Sequence, residues 1–277
     1  MKLFAILFIF VTSRLASAGG PPVINLGYVQ YSGFQNATIG INYYRGIRFA
    51  EAPVSDLRWR EPRPIELSSN YTGQMMDASQ YGPACYQGVP YSLQALTGPI
   101  ASALLQSEDC LLLDVLVPMK PASASLPVMV QIHGGGYTLG SSSTVAPGDA
   151  MVNASNGNII YVQIQYRLGM FGFLGGSQVK QDGVRNAGLL DQRAALLWVQ
   201  RHISAFGGDP ARVTIIGVFL NLEAENRWQC GWWKCHVSTY CGRCIRPTAI
   251  PRGDCGISMV AAVVERLLSR TTTIQCA

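Results

Sequence analysis

A strand, a helix and a second strand follow one another between residues 159 and 217, and that succession restricts the chain to a small set of folds. Residues 159–164 and, before them, 128–132 are short β-rich apolar runs bounded by turn clusters. Runs of that length become strands buried on both faces of a mostly parallel sheet. From Asn186, read as an N-cap, Leu190, Ala194, Leu197 and Trp198 recur at i, i+4, i+7 and i+8, the spacing of a helix with one buried face. Gly207-Gly208-Asp209-Pro210 stops that helix, and residues 213–217 supply the next strand. The order predicts an α/β fold with right-handed crossovers.

The rest of the composition says where such a chain works. Apolar residues make up 48% of 277, enough for a packed core, and the net charge of +5 forms no basic stripe with interleaved aromatics. Nucleic acid is therefore not an expected partner, and small molecules are. Met1-Lys2, the apolar run 3–11 and Ala16-Ser17-Ala18 have the charged, greasy and cleavable parts of a secretory signal, so residues 1–18 are expected to be removed. The run is shorter than the roughly 20 apolar residues that span a bilayer, and no other stretch qualifies. Asn36-Ala37-Thr38, Asn70-Tyr71-Thr72 and Asn153-Ala154-Ser155 are glycosylation acceptors in an exported chain. Eight cysteines are distributed unevenly, with Cys85 and Cys110 in the body and six between Cys230 and Cys276, which marks a boundary near Gly217. Cys85 and Cys110 either close one loop as a disulfide or are two separately buried thiols; export favours the bridge.

Chemistry begins at Gln131-Ile132-His133-Gly134-Gly135-Gly136-Tyr137, a glycine run directly after a strand. Without Cβ atoms, such glycines let backbone N–H groups turn toward a substrate oxygen and hold the charge that develops on it during acyl transfer. A tight turn with no ligand is the plainer reading of three glycines, but a strand followed by His-Gly-Gly-Gly is a hydrolase signature.

The glycine run is one of an ordered series of blocks. Before it stand Tyr44-Arg45-Gly46-Ile47-Arg48-Phe49-Ala50, Arg58-Trp59-Arg60-Glu61-Pro62 and Ser107-Glu108-Asp109-Cys110-Leu111. After it come Tyr166-Arg167-Leu168-Gly169-Met170-Phe171-Gly172-Phe173, Asn186-Ala187-Gly188-Leu189-Leu190-Asp191-Gln192 and Phe206-Gly207-Gly208-Asp209-Pro210. In this order the chain resembles the type B carboxylesterase and lipase family, the group that includes the cholinesterases, over the N-terminal portion of its α/β-hydrolase fold. The resemblance implies small-molecule or lipid carboxylic esters as substrates and no cofactor or metal. It makes Gly135 and Gly136 the oxyanion donors and Cys85 with Cys110 the family's first disulfide. It also implies ion pairs of Arg45 with Glu108 and of Arg167 with Asp191, scaffold rather than acid–base groups. His133 then supports the glycine loop, and His202 is a helix-surface residue.

At the nucleophile the chain departs from that family. Relatives attack the ester with the serine of Gly-x-Ser-x-Gly, activated by a histidine that a glutamate orients. Here Gly217 supplies the first glycine, but Phe219 stands at the serine position and Asn221 at the closing glycine. No later residue matches the triad glutamate or histidine. Residues 218–277 form a Cys- and Trp-rich tail unlike residues 19–217. Its Cys230, Cys235, His236, Cys241 and Cys244 have poor spacing for zinc.

The genetic code offers an account of the tail. Trp228-Gln229-Cys230-Gly231-Trp232-Trp233-Lys234-Cys235-His236 can be encoded TGG CAG TGC GGG TGG TGG AAG TGT CAT. Read one base later, with the following G of Val237, these bases give Gly-Ser-Ala-Gly-Gly-Gly-Ser-Val-Met, a nucleophile elbow. The glycines in place of Trp228, Trp232 and Trp233 are forced, because tryptophan has a single codon. The expectation is an ester hydrolase with an out-of-frame tail; the competing expectation is a non-catalytic secreted binding module derived from the same fold.

Overall fold

The computed structural model describes residues 20–144 and 148–217. The expected signal at 1–18 and the tail 218–277, with Phe219 and its cysteines, lie outside the described residues. A small sheet comes first: β1 (Val23–Asn25) runs antiparallel to β2 (Gln30–Ser32), which pairs in parallel with β5 (Met75–Asp77). The main sheet contains β3 (Phe34–Asn36), β4 (Ile41–Arg48), β6 (Leu112–Pro118), β7 (Leu126–Ile132), β8 (Ile160–Ile164) and β9 (Gly208–Gly217). Its order is β3-β4-β6-β8-β7-β9.

The α/β architecture is that of an α/β-hydrolase, and within the described residues its sheet is mixed. Pairings up to β6–β8 are antiparallel, and parallel pairing is confined to β8–β7 and β7–β9. The reason lies in the connections, since parallel neighbours need a long crossover. Segment 133–159, with α2 (Gly148–Ala154), links β7 to β8, and segment 165–207, with α5 (Ala187–His202), crosses over to β9. Shorter helices α1 (Gln94–Ala103), α3 (Gly169–Phe173) and α4 (Ser177–Asp182) sit in the loops.

Side chains alternate across each strand, so β4, β6, β7, β8 and β9 each feed two cores. Val128 and Val130 point to the face covered by Trp198, Val199, Ile203 and Phe206, whereas Tyr43, Leu116 and Tyr161 meet Val152 on the other. Trp198 is fully buried; cutting such a side chain to alanine in a close-packed core costs about 3–5 kcal/mol.

The helix stripe is rotated from the one expected. Its buried positions are Ala187, Gly188, Asp191, Ala195, Trp198 and Val199, while Leu190, Ala194 and Leu197 are half-buried and line a groove with Pro62 and Pro64. Counting apolar residues placed the stripe one position early because the group anchoring it, Asp191, is an acid. Asn186 does stand at the N-cap, but with left-handed φ of 62° and no side-chain capping bond.

Candidate oxyanion site

In α/β sheets ligands bind beyond the carboxyl ends of the parallel strands, and here the motif residues collect there. β7 ends at Ile132 and opens into the glycine loop, residues 133–140; β8 ends at Ile164, ahead of Tyr166 and Arg167; β9 ends at Gly217. Ile132 stands opposite Gly217 in the β7–β9 register. Gly217, the last described residue, thus stands beside the residue from which the glycine loop opens.

Gly135, Gly136 and Tyr137 all have positive φ, of 123°, 60° and 62°. The turn is closed by the Thr138 and Leu139 N–H groups, both donating to Gly135 O at 3.1 Å. A Cβ on Gly135 would lie 1.9 Å from Leu139 O, so no other residue fits, whereas the space around Gly136 is open. The N–H groups of Gly135 and Gly136 have no hydrogen-bond partner among the described residues, and Gly136 is exposed.

The loop is tethered on several sides. The Tyr166 hydroxyl donates to His133 O at 2.8 Å, and its ring stacks on the imidazole with centroids 4.4 Å apart. Gly169 N–H donates to Tyr137 O at 2.7 Å, and Gly88 N–H to Thr138 O at 2.6 Å. His133 is itself buried, with Nδ1 3.0 Å from Gly134 O. Burial pushes its pKa down to about 4, so the ring stays neutral and supports the loop rather than moving a proton.

Cys85 and Cys110 form a disulfide, in a buried cluster on which Tyr137 of this loop packs. Arg167 and Asp191 form a buried pair; burial holds the Asp191 carboxyl above its ordinary value, against the pull of Arg167. The other implied pair is corrected. Glu108 is gripped at both oxygens by Arg58, not by Arg45, and neighbouring Asp109 is gripped the same way by Arg48. A register shift in β4 between Tyr44 and Ile47 diverts Arg45, whose guanidinium lies 4.4 Å from the ring centres of both Tyr43 and Tyr81. The turn Ser55–Leu57 brings Arg58 back to Glu108 in its place. His202 is also more than a surface residue: Nε2 lies 2.6 Å from Glu66 Oε1, and the ring packs on Tyr28 and Trp198. Of the sequon residues, Asn70 and Asn153 are exposed, while Asn36 is half-buried and its Oδ1 accepts from Thr38 and Ile39 N–H.

One buried acid carried no expectation. Asp114, Gln163 and Gln131 occupy one row across β6, β8 and β7. Asp114 Oδ1 accepts the Gly46 N–H at 2.8 Å and Ser142 lies beside it, but Oδ2 has no partner. Burial raises this carboxyl to about 6.

The same region is what comparison with known proteins recognises. The family model described as "Carboxylesterase family" matches residues 21–218. The chain belongs to the carboxylesterase family. Among curated relatives, Lipase 5 of Diutina rugosa is 40% identical over 221 residues, which cover 74% of this chain and 39% of that protein. Para-nitrobenzyl esterase of Bacillus subtilis is 43% identical over 178 residues, covering 64% and 34%. The crystal structure of Aspergillus niger EstA superposes with a TM-score of 0.60 at 38% identity, covering 72% of this chain and 36% of that one. This carboxylesterase-family chain thus spans about two fifths of the length of Lipase 5. Among the described residues no helix is long and apolar enough to cross a membrane.

Proposed function

We propose that residues 19–217 are the oxyanion-binding part of a secreted carboxylic-ester hydrolase, and that the chain as written lacks the nucleophile. The register of Ile132 against Gly217 carries this reading. It sets Gly217 beside Ile132, the residue before the loop that holds the unbonded N–H groups of Gly135 and Gly136, and acyl transfer needs its attacking oxygen close to such groups. In such a site the nucleophile gives up its proton and adds to the ester carbonyl, and the carbonyl oxygen takes the charge between the two N–H groups. This tetrahedral intermediate collapses to the acyl-enzyme as the C–O bond breaks and the alcohol leaves with a proton, and water then hydrolyses the acyl-enzyme to the acid. Here Val218-Phe219-Leu220-Asn221 follows Gly217, and a benzyl side chain cannot attack. The substrates would be small-molecule or lipid carboxylic esters, in keeping with the lipase and esterase names of its relatives.

The one-base slip at residues 228–236 supports a locus that encodes the serine in the neighbouring frame. Coding DNA across residues 215–240 tests the slip: codons incompatible with Gly-Ser-Ala-Gly-Gly-Gly remove it. Nitrophenyl acetate turnover and fluorophosphonate labelling test the chemistry. The chain as written should show neither, and the frame-restored chain both; turnover by the former overturns the assignment. A binding role without turnover draws on one observation, that the tethers to Tyr166, Gly169 and Gly88 all lie before Gly217. It gains if every transcript ends in this tail.

A further inference from the structure

The far end of the glycine loop is held by one side-chain amide. Gln87 Oε1 accepts the Gly140 N–H at 2.6 Å, and Gln87 Nε2 donates to Gly140 O at 3.0 Å and to Cys85 O at 2.7 Å. The amide thus pairs with both polar groups of Gly140 as a neighbouring strand would. Turned over, it would set its oxygen against two carbonyls, so the network fixes its orientation. Behind it, Gln106 Oε1 accepts the Gln87 N–H at 2.9 Å while Gln106 Nε2 donates to Ala101 O at 2.7 Å. Both glutamines belong to the loop closed by Cys85 and Cys110.

Gly140 in turn presses on the start of the glycine loop: a Cβ there would lie 2.4 Å from Gly134 O and 2.5 Å from His133 Nδ1. Moving Gly140 therefore moves Gly134 and the two glycines after it. We infer that Gln87 is a positioning residue, coupling the disulfide-closed loop to the glycine loop and setting where the Gly135 and Gly136 N–H groups point. Its importance for ester hydrolysis rests on the function proposed above; the coupling itself does not.

Amide hydrogen exchange on the full 277-residue chain tests the coupling. Gln87→Ala should raise exchange across residues 134–140 by about tenfold or more, with β7 and α5 unchanged. Gln87→Glu adds a signature that packing alone would not give. As a neutral acid it keeps one donor and one acceptor; ionised, one oxygen still accepts the Gly140 N–H but the other sets an acceptor against the Gly140 and Cys85 carbonyls. Corrected for intrinsic rates, its loop should be protected below the ordinary glutamate pKa of about 4.3 and loosened above it, while wild type stays flat. Should the alanine variant fail to fold, the glutamate variant at two pH values decides alone. Unchanged exchange in Gln87→Ala, or no pH step in Gln87→Glu, overturns the inference. Failure of ester turnover in the frame-restored chain would count against the hydrolase reading and leave this result standing.

Discussion

Arg167 and Asp191 meet at two points, Nε to Oδ2 at 2.8 Å and Nη2 to Oδ1 at 2.7 Å, with both side chains sealed from water. Asp191 Oδ2 also accepts the Arg167 N–H, so one acid of α5 fixes the chain leaving β8. Asp191→Ala strands a buried guanidinium and should cost about 3–5 kcal/mol in urea unfolding. Replacing both, Arg167→Met with Asp191→Leu, should recover most of that loss. About 1–3 kcal/mol should persist for the orphaned Arg167 N–H.

Asp114 should make the fold weaken as pH rises. Its carboxyl sits at about 6 in the folded chain and near the ordinary 3.9 when unfolded, so between those values the folded state binds more protons. Stability then falls from about pH 4 to about pH 6 and is level above, a loss of roughly 3 kcal/mol. Asp114→Asn should remove this slope and be the more stable chain at neutral pH. Urea unfolding of the two chains across that range checks it, and parallel curves would count against it.

Much of this was legible in the sequence, and the gaps have causes. The glycine loop, the strands around it and the disulfided cysteines announce themselves because special backbone geometry and covalent chemistry demand particular residues. Ion-pair partners do not. Arg45, Arg48 and Arg58 lie close together in sequence, and which of them meets Glu108 depends on the register shift in β4 and the turn after it. The resemblance pairs Asp191 with Arg167, but its place in the buried stripe of α5 goes unread because periodicity counts apolar residues and passes over an acid, and Asp114 in β6 is missed for the same reason. Gln87 has no signature at all: a lone amide gains meaning only when Gly140, distant in sequence, comes to meet it.

Gly135 and Gly136 should respond unequally to alanine. At Gly135 the new methyl meets backbone at 1.9 Å with φ at +123°, so the turn must open, at about 3 kcal/mol or more. At Gly136 the surroundings are open, and the left-handed backbone alone costs about 1 kcal/mol. Thermal midpoints of the two variants should differ in that order.

Removing the disulfide should cost about 3.5 kcal/mol, the chain-entropy value for a loop of this span; the two cysteines are 25 residues apart. Denaturant unfolding of Cys85→Ala with Cys110→Ala, against the oxidised parent, measures it. A difference under about 1 kcal/mol would place the stability of that loop elsewhere.

The tethers of the glycine loop run to Tyr166, Gly169, Gly88 and Gln87, all of which precede Gly217 in the chain. Shape and reactivity are thus written in separate stretches of the message. If the proposed function holds, a fault in the later stretch would silence turnover while leaving every residue of these tethers as it was written, so the loop's own contacts would carry no trace of it.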